Sequence, residues 1–357
     1  MPFKILVINP GSTSTKVALF ENELPRFEEK INHSIEQLQQ CTDLKDQFNL
    51  RMAAINSFLE RNRISIRELA AVVGRGGLVK SIPGGTYLVN EAMVADARQG
   101  IQGQHPSNLG CILAKMIADS AGIPAYTVDP VAVDELEPLA RYSGHPLIQR
   151  RSLAHTLNIH AVGRMAAEKL GVDYWRTTFI IAHLGGGISI CPLKNGRIID
   201  VNDASSSGPF SPERTGDLPL QPFIELCFSG KYTKKQMSQL VMGRGGLIAY
   251  LGTNSAEEVE RRIQQGETMA REVYQAMAYQ IAKEIGAMAT VVRGGIRAIV
   301  LTGGLAKSAM LTGWIKERVA FIGEVIILPG EFEMEALAKG ALRVLQGMEH
   351  AKQYPIG

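Results

Sequence analysis

Residues 9–16 read Asn-Pro-Gly-Ser-Thr-Ser-Thr-Lys and lie between two short apolar runs, 4–8 and 15–20. A glycine-rich turn between two strands leaves several backbone N–H groups without ladder partners, and such a concavity binds anions. Ser12, Thr13, Ser14 and Thr15 add hydroxyl donors and Lys16 adds a positive charge, a set that suits a phosphate. The plain alternative is a tight hairpin carrying an exposed lysine. Further chemistry-bearing residues follow apolar runs, at the strand ends where α/β proteins put ligand contacts. They are Arg75 in VVGRGG, Asp129 in YTVDP, His183 in IIAHLGGG, Arg214 in PERTGDLP and Gly303-Gly304 in IVLTGGLAKS. Singly, each has an ordinary structural use: a buried Asp often caps a turn, and a lone His is usually a satisfied core residue. Their joint placement in both halves of the chain points to one cleft between two domains.

Other phosphate and catalytic motifs are excluded by single residues. A P-loop requires G-x-x-x-x-G-K-[ST], and the nearest match, 74–81, has Val79 where the second glycine must let a phosphate approach. No G-x-G-x-x-G follows a strand with an acidic residue about 20 positions on, as a Rossmann site needs. Neither H-E-x-x-H nor G-x-S-x-G occurs.

The elements that must carry these residues follow from periodicity. Apolar runs at 4–8, 15–20, 69–73 and 125–128 read as strands, and apolar spacing over 34–61, 90–99 and 107–121 reads as helix, the last started by Ser107 and stopped by Gly122. The pattern then restarts. A helix over 152–170 closes at Gly171, a strand pair at 177–182 and 188–193 flanks Gly185-Gly186-Gly187, and Asn195-Gly196 turns into a strand at 197–201. Helices dominate beyond Pro222. Ser255 and Glu258 form a capping box opening a helical region over 255–290, strands at 298–302 and 324–328 bracket a helix, and a final helix covers 333–349.

KILVINPGSTSTKVALF and TFIIAHLGGGISICPL share one layout, so that Gly11 falls on Gly185 and Asn9 on His183. Each opens one half of the chain, which suggests two domains of related fold. The rival is a pair of unrelated glycine hairpins. The chain has 357 residues, 45% hydrophobic and 20% charged, enough to bury two cores, and a formal net charge of only +3. With no run of five like charges, a nucleic-acid or membrane-surface partner has no electrostatic footprint. Four scattered cysteines without C-x-x-C spacing argue against a zinc site or a disulfide scaffold and fit a reducing cytosol. No leader peptide or apolar stretch of about 20 residues is visible, so a soluble cytoplasmic protein is expected.

NPGSTSTK at 9–16, HLGGG at 183–187, ERTGDLP at 213–219, LTGGLA at 301–306 and GEFEMEALAKGA at 330–341 resemble, in order and end to end, the acetate kinase/butyrate kinase family. The chain is most similar to its butyrate and branched-chain fatty-acid kinase branch. The resemblance implies an α/β fold of two related actin-like ATPase domains, of the acetate and sugar kinase, Hsp70 and actin type, with an interdomain cleft. The first would cover 1–150, completed by the helix 333–357, and the second 151–332. It implies transfer of the ATP γ-phosphoryl group to butyrate or a similar acid, with Mg²⁺, in a self-associating enzyme. Residue by residue, it makes Asn9, Ser12, Ser14 and Lys16 the first phosphate segment and His183, Gly185, Gly186 and Gly187 the second. Arg75 and Arg214 become the active-site arginines, Asp129 the catalytic-site aspartate and His155 a stabiliser of the moving phosphoryl group. Gly303 and Gly304 would contact adenosine, with Thr253 and Asn254 near the nucleoside. Asn9 and Glu333 would serve the metal, with Glu331 and Glu335 as alternative registers for the latter. Acetate kinases typically carry Asn where Gly186 stands, and they are longer.

Two other readings compete. An acetate or propionate kinase would use the same residues around a smaller pocket. An actin- or Hsp70-like nucleotide-driven binding protein would share the fold but needs a partner-binding appendage, and none follows the final helix. A catalytically dead sensor is disfavoured by the intact Lys16, Arg75, Asp129 and Arg214.

Overall fold

A strand that is apolar on both sides must be covered on both sides. The first such run, Ile5 to Ile8, is fully buried in the computed structural model, which describes residues 2–41, 43–205 and 207–356. The strands are β1 (Lys4–Pro10), β2 (Ser14–Glu21), β3 (Leu24–Asn32), β4 (Ala71–Gly74), β5 (Thr86–Leu88), β6 (Ala125–Val128), β7 (Thr178–Leu184), β8 (Ile188–Lys194), β9 (Arg197–Ile198), β10 (Ala298–Gly303), β11 (Val325–Pro329) and β12 (Lys352–Gln353). The chain divides into two compact units, Met1–Asp134 with Phe332–Gly357, and Glu135–Glu331.

The first unit holds a seven-stranded sheet in the order β12-β5-β6-β4-β1-β2-β3. One face of β1, through Leu6 and Ile8, packs into a core with Ile55 and Phe58 of the helix Leu44–Arg61 and Leu109, Ile112 and Leu113 of the helix Asn108–Ala121. The C-terminal helix Glu333–Leu345 packs against β1, β4 and β6 and buries Leu337, Ala338 and Ala341. The second unit holds a five-stranded sheet in the order β11-β10-β7-β8-β9, packed on the long helix Thr268–Val291 through Tyr274, Met277 and Ile281.

The two sheets share a plan. In each, the first strand runs antiparallel to the next (β1 to β2, β7 to β8) and parallel to a later one (β1 to β4, β7 to β10), which has a further parallel neighbour (β6, β11). The duplication read from the sequence therefore extends beyond the hairpins to the strand order. Pairing is Pro10 with Thr15 but Leu184 with Ile188, so the second turn is one residue shorter and the ungapped alignment slips on the return strand.

Several elements depart from expectation. The polar stretch after β2 is strand β3, exposed along most of its length and therefore without the alternation that marks a half-buried strand. The helical region 34–61 is two helices: Ile35–Gln40, with a Ser34/Gln37 capping box, and Leu44–Arg61, capped by Asp43. The region 255–290 also breaks, into Ala256–Gln264 and Thr268–Val291, around Gly266 at φ +89°. The helix expected from 152 starts at Thr156, the strand 197–201 stops at Ile198, and the last helix stops at Leu345. Among the described residues no helix is long and apolar enough to cross a membrane.

After the last helix the chain returns to the sheet as β12, parallel to β5, and is pinned by Tyr354. That ring is 1% exposed; its hydroxyl donates to Asp96 at 2.7 Å and accepts from the Lys80 N–H at 2.8 Å, and burial raises its pKa. Tyr354→Phe keeps the apolar ring but removes the partner of the Lys80 N–H and one of the partners of Asp96, whose carboxylate keeps the Lys80 ammonium at 3.6 Å. It should lower unfolding free energy in urea by about 1–3 kcal/mol; an unchanged midpoint would show that the tail does not brace the sheet.

Candidate active site

In the first unit the candidate residues cluster at the carboxyl ends of β1, β4 and β6, where parallel strands leave their last groups unpaired. Asn9, 4% exposed, donates from Nδ2 to Glu333 Oε2 at 2.7 Å, and Arg75 donates to Glu333 Oε1 at 2.8 Å and to Asn9 Oδ1 at 3.4 Å. Glu333 can reach them because the C-terminal helix starts at that residue and packs on β1 and β4. Lys16 lies directly across from Asn9 in the β1–β2 ladder, so both side chains leave the same face of the sheet. Asp129 ends β6 in a left-handed conformation, φ +41°, and its carboxylate accepts from the Gly85 N–H at 2.6 Å.

The turn at 11–14 is tied by a Gly11 N–H bond to the Ser14 carbonyl at 2.8 Å, with Ser12 exposed and Ser14 buried. Beneath it lies Arg51, which sequence reasoning missed. Fully buried, it donates to the carbonyls of Ser14 at 2.9 Å and Gly11 at 2.7 Å and to the Thr15 hydroxyl at 2.9 Å. Burial lowers its pKa, yet a guanidinium stays charged at neutral pH. The turn thus has its Gly11 and Ser14 carbonyls drawn down onto a cation. A second missed residue is His105. Its ring meets the Ser107 hydroxyl at 2.7 Å, so Ser107 makes no side-chain cap for the following helix. The surrounding protein, and after that the positive charge of Arg75, lower the His105 pKa.

In the second unit the corresponding residues gather at the ends of β7 and β10. His155 precedes the helix Thr156–Leu170 and stacks on His183, ring centroids 3.9 Å apart and planes 12° from parallel. The Ser189 hydroxyl, across from His183 in the ladder, meets His155 Nδ1 at 2.9 Å. Gly187 has a specific reason to lack a side chain: a Cβ there would lie 2.2 Å from Nη1 of Arg214. The guanidinium therefore lies flat against the turn, held by a bond to the Ala204 carbonyl at 2.5 Å. Burial lowers its pKa against the opposing pull of Glu213 and Asp203. The Ser211 hydroxyl donates to the Gly186 carbonyl at 2.5 Å, and Asn254 donates to Glu213 at 2.7 Å, which brings Asn254, next to Thr253, to the same turn.

Gly303, at φ +88°, closes on β7; a Cβ there would meet the Leu184 carbonyl at 2.3 Å. It exchanges backbone hydrogen bonds with Gly330 at 3.1 and 3.0 Å, and Gly304 opens the short turn of helix that follows. Each unit thus brings its own candidates together: Asn9, the turn with Ser12 and Ser14, Lys16, Arg75, Asp129 and Glu333 in one, and His155, His183, Gly185–Gly187, Arg214, Asn254 and Gly303 in the other. Ser189, like Arg51 and His105, had no signal in spacing or motif.

Residues 138–327 match the Acetokinase family. The chain is 52% identical over 352 residues, 99% of each chain, to "Probable butyrate kinase 2" of Caldanaerobacter subterraneus, and 48% identical over 355 residues to "Butyrate kinase 2" of Clostridium acetobutylicum, covering 99% of this chain and 100% of that one. Among solved structures, acetate kinase of Porphyromonas gingivalis superposes with a TM-score of 0.79 over 96% of this chain and 100% of its own, at 20% identity, a likeness of fold. Sequence kinship over nearly the whole length, together with the common α/β architecture, establishes that this chain belongs to the acetokinase family.

Proposed function

We propose that the protein is an ATP-dependent carboxylate kinase that reversibly converts butyrate, or a short or branched acid of similar size, and ATP to the acyl phosphate and ADP. The observation that carries this reading is the full-length kinship, near half identity, with proteins named butyrate kinase. The residues fit the chemistry. A fatty-acid carboxylate titrates near ~4.3, so at neutral pH it is already an anionic nucleophile and needs no strong base. The obstacle is charge, and fixed cations with in-line positioning meet it.

In the first unit, Lys16 and the turn with Ser12 and Ser14 are assigned to the nucleotide phosphates, over Arg51. Arg75 uses Nη1 on Glu333 and Asn9, and a guanidinium carries five N–H donors, which leaves others for a carboxylate or phosphoryl oxygen. Asp129, bonded to Gly85, is assigned as an orienting group. In the second unit, the turn Gly185–Gly187, closed by the Gly185 N–H on the Gly187 carbonyl, is assigned to the phosphates through Gly186 and Gly187, Arg214 supplies a half-buried cation, and His155 and His183 supply hydrogen bonds to the phosphoryl oxygens. Gly303, Gly304, Thr253 and Asn254 are assigned to the nucleoside. Acting with Mg²⁺ is part of the same proposal. Asn9 and Glu333 present hard oxygen donors, and Glu333, accepting one bond on each oxygen, keeps lone pairs to spare. Among the described residues no three acidic, His or Cys side chains form a cage, so water and phosphate would supply the remaining ligands, as Mg²⁺ prefers. Bound there, the ion would neutralise phosphate charge. Four cysteines without disulfides accord with a reducing, cytoplasmic setting.

Self-association is proposed from the helix Leu220–Phe228. It buries no residue, and Leu220, Ile224 and Phe228 are 73%, 47% and 86% exposed, an apolar surface of the kind that a second copy covers. Light scattering should give at least a dimer for the native protein and a smaller species for Leu220→Asp/Phe228→Asp; a monomeric native protein would refute this.

Acyl-phosphate formation from a panel of C2 to C5 acids, trapped as the hydroxamate, tests the main reading. Butyrate or a branched C4–C5 acid should give the highest kcat/KM. Two methylenes, at about 0.8 kcal/mol each, separate butyrate from acetate by only about 15-fold, so a best rate with acetate would reassign the enzyme within its family. ATP hydrolysis indifferent to every acid would overturn it. Arg214→Ala should lower kcat/KM by ~10²-fold or more. Gly187→Ala should cost nearly as much with little change in thermal stability, since its new Cβ conflicts chiefly with the tip of Arg214; a fully active Gly187→Ala enzyme would separate Arg214's position from its role.

A further inference from the structure

His183 lies opposite Thr302 in the parallel pair of β7 and β10. Asn158, on the helix Thr156–Leu170 and 1% exposed, reaches both: its Nδ2 is 2.9 Å from His183 Nδ1 and 3.3 Å from Thr302 Oγ1. The Thr302 hydroxyl donates to the Gly330 carbonyl at 3.3 Å. A carbonyl only accepts, so the single proton of that hydroxyl is committed and its oxygen faces Asn158 as an acceptor. The group of Asn158 on that side must then be the amide NH₂, and its other hydrogen points at His183 Nδ1. An imidazole nitrogen that accepts a hydrogen bond bears no proton, so the neutral ring carries its proton on Nε2. Nε2 faces the glycine turn, since a Cβ on Gly185 would lie 3.2 Å from it.

We propose that Asn158 is a positioning residue that, with Thr302 and the Gly330 carbonyl behind it, locks His183 in its Nε2–H tautomer, so that a donor and not a lone pair faces the transferring phosphoryl group. The role of His183 in that statement rests on the kinase reading above; the tautomer does not. The titratable and charged groups around the ring are His155, stacked on its face, and Glu213 and Arg214, which flank Gly186 and Gly187. With a neutral imidazole against another imidazole, a phosphate oxygen can be served only if the proton sits on the correct nitrogen.

The test is Asn158→Asp in the full-length enzyme. A carboxylate only accepts, so it demands a proton on Nδ1 and leaves Nε2 bare while the ring is neutral; full protonation of the ring restores the Nε2 donor. At pH 8, kcat/KM for the acid should fall ~10²-fold or more and should recover as the pH is lowered through the titration of the variant's imidazole. Asn158→Ala imposes neither tautomer and should lose less at pH 8 than Asn158→Asp. Nitrogen-15 histidine spectra of the native protein read the tautomer directly, whether or not the variants fold and whatever acid is used. His183 protonated on Nε2 supports the proposal. A native His183 protonated on Nδ1, or a loss in Asn158→Asp that is the same at every pH, overturns it. A native Nε2–H tautomer in an enzyme that phosphorylates no carboxylic acid would uphold the tautomer lock and remove the kinase reading.

Discussion

Like charges four ångströms apart repel by about 4 kcal/mol per unit pair at the effective dielectric of a protein surface, and the proposed reaction pushes a carboxylate toward a polyphosphate. Mobile surface cations relieve little of that, because they must be ordered at the moment of need and are screened by water and salt. Groups that are fixed beforehand do the work without reorganisation. The features of the candidate residues within each unit follow from this constraint. Arg51 is fully buried beneath its turn, Arg214 lies against a glycine with the Ala204 carbonyl at its back, and Arg75 is clamped by Glu333 and Asn9. Each cation is oriented by the protein before any ligand arrives.

Repetition of one sheet plan then gives two glycine-containing turns with different bracing. The first turn is rich in hydroxyls, has Lys16 across from Asn9, and is held from below by a helix-borne guanidinium. The second consists of three glycines, has Ser189 across from His183, and is held by Ser211 and by an arginine laid on its surface. The same sheet plan thus carries hydroxyls and a lysine in one turn, and glycines, stacked imidazoles and an arginine in the other.

The hairpins were legible in the sequence because a strand, a glycine turn and a return strand are encoded within some twenty consecutive residues. Arg75, Asp129 and His183 were legible because each closes or adjoins an apolar run, and Arg214 through the ERTGDLP motif. Arg51 was not: it sits mid-helix between Leu50 and Met52 with no motif around it, and only the packing of Leu44–Arg61 under β2 buries it. Asn158 was equally silent, since its meaning depends on Thr302 and Gly330, far away in the chain. The strands β3, β5 and β12 escaped because an exposed edge strand carries no alternation and strands of two or three residues carry almost no period. Spacing alone did not separate Glu331, Glu333 and Glu335; the helix start puts Glu333 in the first turn, bonded to Asn9 and Arg75.

The backbone around Gly330 connects two of these ideas. Gly330 exchanges hydrogen bonds with Gly303, and Gly303, lacking a side chain, closes directly on the end of β7. The same Gly330 carbonyl anchors Thr302, whose oxygen orders Asn158 and through it His183. A displacement at the Gly303–Gly330 bridge would therefore alter the hydrogen-bond partner that decides which nitrogen of His183 is protonated. Rigid backbone, and not the imidazole's own chemistry, fixes the donor, and the same stretch of backbone carries the glycines assigned to the nucleoside. Nucleotide seating and phosphoryl hydrogen bonding are on this account properties of one short, glycine-permitted junction between β10 and β11.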